Sequence, residues 1–422
     1  MKFTKMSLVA ALLIGSSAFA LDNVKVSGDA NLYYQTADAN SGTLFDKDSS
    51  SADTAVNLNV TADLLENNLV SISVGAGYSV LSTLGLEQNF VSSVWAGAHS
   101  IRANSSSRGA YVDTASWFNE AWVAATTGKT TAKLGRMALD TPLAFTETWT
   151  AEENTFDAAV VINQDIPNTT LVGAYVGNGN GTEDLGGSTM PQGPVATAAV
   201  VNENGDFDTY GKSGAYAAGI INNSYAPLVA QAWYYDVVSV AQAVWLQGDL
   251  DASSLGVDGL TLGGQYVAMT AAASGSDTNQ AVAAKVGYTM KDMFTASVAY
   301  SQQSNTGSLT NNAFNTATNM KAAQSKLYTE AWWNYGQVTM KGAKAFNLTV
   351  EAPVKDIADF GLYVTSVDQN TAPDLTEVTL TASRSFGPLD ATLAYINSDY
   401  SKVGNTAATN TNTVQVYATL NF

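Results

Sequence analysis

Val56-Asn57-Leu58-Asn59-Val60-Thr61-Ala62-Asp63-Leu64-Leu65-Glu66-Asn67-Asn68-Leu69-Val70-Ser71-Ile72-Ser73-Val74-Gly75-Ala76-Gly77-Tyr78-Ser79-Val80 is the stretch whose reading decides the fold. Val56, Leu58, Val60 and Ala62 alternate with Asn57, Asn59, Thr61 and Asp63. After a tight polar turn at 65–68, Val70, Ile72, Val74, Ala76, Tyr78 and Val80 alternate with Ser71, Ser73, Gly75, Gly77 and Ser79. Period two sends one set to each face of an extended strand, so the stretch reads as a hairpin with one apolar and one polar face. Strands of about ten residues are long enough to cross a bilayer when tilted.

The pattern repeats outward from there. Leu262/Gly264/Tyr266/Ala268, Val282/Ala284/Val286/Tyr288, Phe294/Ala296/Val298/Tyr300 and Phe346/Leu348/Val350/Ala352 alternate in the same way. The chain closes on Val414, Val416, Ala418, Leu420 and Phe422. Soluble β-sandwich strands alternate too, so the weight lies in accumulation and composition. Only 13% of the 422 residues are charged while 46% are apolar, about half the charged fraction usual in soluble domains. Past the first 20 residues the sequence has no run of the roughly 18 apolar residues that a membrane helix requires. Apolar residues spread at short period suit a barrel whose strands meet lipid on one face and water on the other.

The connections alternate as well. Short turns at 65–68, 127–130, 165–168, 223–226, 250–258, 290–292, 355–358 and 387–388 are interleaved with long polar stretches at 36–53, 82–116, 179–212, 303–343 and 398–411. Outer-membrane barrels are built with short turns at one end and long loops at the other. With periplasmic termini, the predicted strands lie near 24–35, 54–64, 69–80, 117–126, 131–136, 155–164, 169–178, 213–222 and 227–236. They continue near 241–249, 259–271, 279–289, 293–302, 344–354, 359–368, 375–386, 389–397 and 412–422. That makes an all-β transmembrane antiparallel barrel of about 18 strands; 16 is the alternative if the weak strands at 117–136 or 241–249 are misread. Either number leaves an aqueous channel. The aromatic run Tyr328 to Tyr335 would break the even count, so it is placed in a long loop that folds inward.

Residues 1–20 read as a cleavable signal peptide, and 21–422 as a single barrel domain. Lys2 and Lys5 precede an apolar core from Leu8 to Ile14, and small residues end at Ala18-Phe19-Ala20. The chain has no cysteine and one histidine, His99. That excludes a disulfide framework and disfavours a catalytic zinc site or a Ser-His-Asp arrangement, so no enzyme, metal or cofactor is expected. The glycine-rich run 177–181 follows a strand and opens a loop, which is not the setting of a phosphate cradle. Asn202, Asn204, Asp206 and Asp208 around Gly205 faintly resemble a calcium loop without its twelfth-position glutamate; turn chemistry explains them equally well. The net charge of −18 argues against nucleic acid as a partner and favours cations.

Gly135-Arg136, Leu139-Asp140-Thr141-Pro142-Leu143, Glu153-Asn154-Thr155-Phe156-Asp157, Ile166-Pro167-Asn168-Thr169-Thr170-Leu171 and the echo Trp233-Tyr234-Tyr235 together resemble the OprD-like outer-membrane porins. The nearest likeness is to the major outer-membrane porins of Campylobacter-type bacteria. The resemblance implies an eighteen-stranded barrel, often trimeric, that passes small hydrophilic solutes, with the loop after Gly135 folded into the lumen as a constriction. Pseudomonad OprD-type channels line the lumen with arginines that draw in carboxylates. This chain has only Arg102, Arg108, Arg136 and Arg384, so that specificity does not carry over.

The constriction expected on residues 137–154 carries Asp140, Glu147, Glu152 and Glu153, with Arg136 before it and Asp157 beyond; a ring of acids there favours cations. Lys133, Lys285, Asp63, Glu351 and Glu377 are expected to line the pore, and Arg384 falls on the lipid face. The expected partners are outer-membrane lipid, small hydrophilic solutes and ions, and further copies of the chain in a homotrimer. The rival reading is a substrate-specific channel, or a surface receptor or adhesin using the loops at 82–116, 179–212 and 303–343 and the aromatics Trp332, Trp333 and Tyr335.

Overall fold

The structure is a computed structural model that describes residues 22–422 apart from 40–41, 83, 87–89, 92, 95–114, 150, 152, 181–206, 212, 318–322, 371 and 405–406. The expected leader at 1–20, His99, Glu152 and the stretch 202–206 therefore lie outside the described residues. Eighteen long strands form one antiparallel sheet. They are Asp22–Ala37, Ser50–Glu66, Ser71–Leu81, Ala115–Thr127, Thr130–Met137, Phe156–Asn163, Thr169–Gly179, Ala215–Asn222 and Leu228–Val237. The rest are Ala241–Asp251, Leu260–Ala271, Asn279–Met290, Phe294–Gln303, Lys344–Val354, Ala358–Asp368, Leu375–Phe386, Leu389–Tyr400 and Thr409–Asn421. The sheet closes because the first strand pairs with both the second and the last, in the latter case from Asp29↔Asn421 to Ala37↔Thr413. Closure leaves no edge with unpaired backbone groups, the condition for crossing a bilayer with strands.

Both weak regions hold real strands. Residues 115–137 form a hairpin and 241–251 pairs with both neighbours, so the count is eighteen and not sixteen. Two short segments add to the sheet without changing that number: Ser93–Val94 runs parallel to the start of the second strand, and Asp208–Thr209 pairs antiparallel with Asn178–Gly179. The eight expected short turns lie at the end of the barrel that carries the termini, and the opposite end has a tight turn of its own at 238–240. At the first of them the Asn67 Oδ1 accepts the backbone N–H groups of Leu69 and Val70, the local bond that makes asparagine a turn former.

Cross-strand register sorts the side chains into two faces. The outward face exposes Val56, Phe118, Val161, Leu393 and Leu134, the last 60% exposed, as a lipid-facing wall requires. Its rings gather near the two ends. Tyr288, Phe360 and Phe386 sit toward the short turns, while Tyr175, Tyr216, Tyr300 and Phe346 sit toward the long connections. Aromatic side chains at those heights suit the two membrane interfaces. The packed core lies inside the barrel: Met137, Leu143, Phe156, Trp233, Trp245, Val267, Phe314 and Leu327 form one buried cluster, and Tyr33, Leu81, Trp117 and Ala151 a second. Both clusters join wall residues to residues of the long connections, which places those connections within the barrel.

Candidate functional site: the interior segments and the wall that holds them

Among the described residues, two connections turn inward over most of their length. In the first, residues 138–155, a small hairpin is closed by the Asp140↔Phe145 bridge and by Thr146 N–H donating to the Leu139 carbonyl at 2.8 Å. The segment then reaches the first two strands of the wall, where the Ala151 carbonyl accepts from Asn31 Nδ2 at 3.0 Å and from Asn57 Nδ2 at 3.3 Å. Both asparagines also donate to Asp29, at 2.5 and 2.8 Å. The return is pinned by Thr155, whose hydroxyl donates to the Asn119 carbonyl at 2.6 Å.

The second interior segment lies in 304–343 and includes the aromatic run expected to fold inward. It docks on inward-facing side chains of several strands. Gln265 donates to the Lys326 carbonyl at 2.8 Å, Tyr328 donates its hydroxyl to Asp249 at 2.6 Å, and Thr329 and Ser301 share a hydrogen bond of 2.6 Å. Two strands past the end of the segment, Glu377 accepts the backbone N–H groups of Trp333 and Asn334 at 3.0 and 2.8 Å, and Asn334 Nδ2 as well. Glu377 is 1% exposed: a carboxyl group is tolerated at such burial when several donors satisfy its oxygens.

The two segments are locked to each other. Asn315 accepts from Phe145 N–H at 3.1 Å and donates to the Phe145 carbonyl and to Glu147, both at 2.9 Å. Glu147 also accepts from Trp149 Nε1 at 2.8 Å, so this buried carboxylate is a joint between segments. Trp149 packs edge-on against Trp333, with ring centroids 5.9 Å apart. Asp140 forms an ion pair with Lys326 across the same junction.

A carboxylate cluster lies beside the first segment. Burial, then the charges of Asp29 and Glu120, raise the Glu153 carboxyl above the usual carboxylate range. Glu120 accepts from Trp122 Nε1 at 2.8 Å, and Lys133 Nζ stands 4.0 Å from the centre of the Trp122 ring. Gly75 explains how that ring lies so close to the wall, since a Cβ there would come within 2.3 Å of it. In the second segment Glu330 is pushed up to about 7 by burial, although N–H groups of Ser325 and Ala331 donate to it and pull the other way.

The register places the remaining expected residues. Asp63, Lys133, Lys285, Glu351 and Glu377 stand on the inward face. Arg136 and Asp157 do not join the acids of the interior. They pair with each other across adjacent strands on the face that carries Ala121 and Leu134, at 2.9 Å, and the guanidinium stacks over the Phe207 ring. The cause is parity: 133 and 136 are three residues apart, so a regular strand cannot turn both inward. Arg384 is also outward and donates to the turn carbonyls of Asp356 and Ile357. Sequence reading missed Asp29, Glu120, Asp249, Lys326 and Glu330. Asp29 shares the parity of Asn31 and was legible; Glu120 was not, because Asn119 is an extra residue in its strand and inverts the alternation beyond it.

Among the described residues no group of three or more His, Asp or Glu side chains is placed to hold a metal ion, and no helix is long and apolar enough to cross a membrane. No protein-family model and no curated protein matches the sequence. Solved structures do match in fold. Pseudomonas aeruginosa OccK9 (OpdG) is 12% identical with a TM-score of 0.71, over 95% of this chain and 99% of that one. The Acinetobacter baumannii OccAB3 structure is 14% identical with a TM-score of 0.69, over 95% and 99%. The outer membrane protein OpdK of P. aeruginosa is 10% identical with a TM-score of 0.70, over 96% and 100%, and has also been crystallised with vanillate. The chain thus has the fold of OprD-like outer-membrane barrels.

Proposed function

We propose that this protein is an outer-membrane porin, a water-filled channel for passive diffusion of ions and small hydrophilic solutes that prefers cations. It is exported through a cleaved signal peptide, and its termini face the periplasm. The observation that carries the reading is the pair of interlocked interior segments with the inward charges around them. An eighteen-stranded barrel is wide enough for an aqueous lumen, and segments 138–155 and 304–343 narrow it from within. The acids Asp29, Asp63, Glu120, Glu153, Asp249 and Glu351 face the interior or lie against it, against the lysines Lys133, Lys285 and Lys326. Carboxylates near a constriction attract cations and repel anions.

The fold likeness to outer-membrane channels supports the transport reading, and the motif run 135–171 supports the likeness to Campylobacter-type porins in particular. Trimeric assembly is part of the proposal through that resemblance. Among the described residues neither arginine points inward, so a preference for carboxylate-bearing solutes is not carried over from OprD-type channels.

Refolded protein in a planar bilayer under a potassium chloride gradient tests the proposal. Stepwise conductance with a cation-selective reversal potential is expected. Joint replacement of Asp140, Glu152 and Glu153 by their amides should shift that potential toward zero. Anion preference would sink the acidic constriction, and a folded, inserted, non-conducting barrel would favour a receptor or adhesin.

A further inference from the structure

Three described lysines of the interior rest on aromatic rings. Lys133 Nζ lies 4.0 Å from the Trp122 ring centre, Lys285 Nζ 4.3 Å from that of Tyr328, and Lys326 Nζ 4.8 Å from that of Phe145. The lumen thus uses ring faces repeatedly to hold ammonium groups, as the ring quadrupole allows. Several half-buried ring pairs of the interior have no lysine or arginine over them among the described residues, and one of them, which also meets Tyr417 edge-on at 6.3 Å through Trp332, stands beside a carboxylate. Trp332 of the second interior segment and Tyr363 of the wall stand with centroids 6.2 Å apart at an interplanar angle of 38°. Tyr363 donates its hydroxyl to Glu351 at 2.7 Å, and this exposed carboxylate forms no ion pair among the described residues. Tyr363 also borders two cavities, one of about 420 Å³ beside Trp332, Asn347 and Thr349, where the bordering Lys326 is paired with Asp140, and one of about 460 Å³ beside Glu351 and Asp359. Each is in the range of small-molecule sites.

We infer that Trp332, Tyr363 and Glu351 form a binding subsite for small organic ammonium ions crossing the lumen. The inference rests on the porin reading and names a solute class for it. The rings take the alkylated face of the cation, Glu351 supplies the opposing charge, and the second cavity receives the ion as it leaves the first. Potassium gains less from such a seat, because its charge stays strongly hydrated and brings no apolar surface to the rings. A carboxylate-bearing solute would meet Glu351 and be repelled.

The test is block of the potassium current by choline, with 3,3-dimethyl-1-butanol as its uncharged counterpart, read against each variant's own potassium current. Choline should block and the alcohol should not. Trp332→Leu and Glu351→Gln should each raise the half-blocking choline concentration roughly tenfold, the scale of a partly desolvated cation–ring contact. Tyr363→Phe, which keeps the ring, should raise it less. Equal block by the alcohol, or block unchanged in Trp332→Leu and Glu351→Gln, would overturn the subsite. Quenching of tryptophan fluorescence by choline in detergent, lost in Trp332→Leu, reads the same site in a barrel that does not conduct. A pore without cation preference that still shows Trp332-dependent block removes the selectivity reading and leaves the subsite; a cation-selective pore whose block ignores all three residues does the reverse.

Discussion

The barrel wall and the interior segments are held by different forces. The wall is a ladder of backbone hydrogen bonds from strand to strand, closed on itself. Its side chains need only respect alternation, so many residues are interchangeable at each position. The interior segments have little ladder of their own and are fixed by particular side chains: Glu377 under Trp333 and Asn334, Asn315 and Glu147 at the junction, Asn31 and Asn57 under Ala151. Single substitutions should therefore be felt in the interior and absorbed in the wall.

The largest effect is expected from Glu377→Ala. It strands two buried backbone N–H groups and the Asn334 amide, costing about 3 kcal/mol of docking, and should show as higher single-channel conductance and noisier current. Quiet, unchanged traces would mean that apolar packing alone seats the segment. Asn315→Ala cuts the link between the segments at three hydrogen bonds and should cost about 2 kcal/mol. Its readout is faster protease cleavage within 304–343 of the folded barrel.

A smaller effect is expected from pH. Glu330 is pushed up to about 7, so the folded protein holds this proton more tightly than the unfolded chain does. Its contribution to docking is complete below the ordinary carboxylate range and is lost as pH rises toward about 7. Current noise should grow between pH 5 and pH 8, and Glu330→Gln should flatten the Glu330 part of that rise while leaving any part due to Glu153. The smallest effect belongs to the wall. Arg136→Ala removes an outward, partly exposed ion pair, so the reversal potential should stay put and stability should fall by less than about 1 kcal/mol. A shifted potential would return Arg136 to the lumen and break the contrast.

The contrast also explains what was legible. Wall strands were readable to within a few residues because lipid on one face and water on the other impose a period of two along every strand. Parity then assigned Asp63, Lys285, Glu351 and Glu377 to the inward face, and it contained the evidence against grouping Arg136 with Lys133. The interior was harder. Glu147 and Asp140 belonged to the expected constriction loop, yet one is a buried joint and the other is tied to Lys326. Their partners lie more than 160 residues away in sequence, and no periodicity connects such positions.

By itself, the sequence determined a closed sheet of membrane-spanning strands, its order, and which residues face inward wherever the alternation is regular. Those properties depend on neighbours one or two positions away and on a solvent that changes across the wall. Only the tertiary structure decided that Asn119 inverts the alternation and turns Glu120 inward, that 138–155 and 304–343 meet, and which carboxylates are joints and which face the lumen. These outcomes depend on contacts between distant segments, whose hydrogen-bond partners are chosen by three-dimensional fit rather than by spacing along the chain.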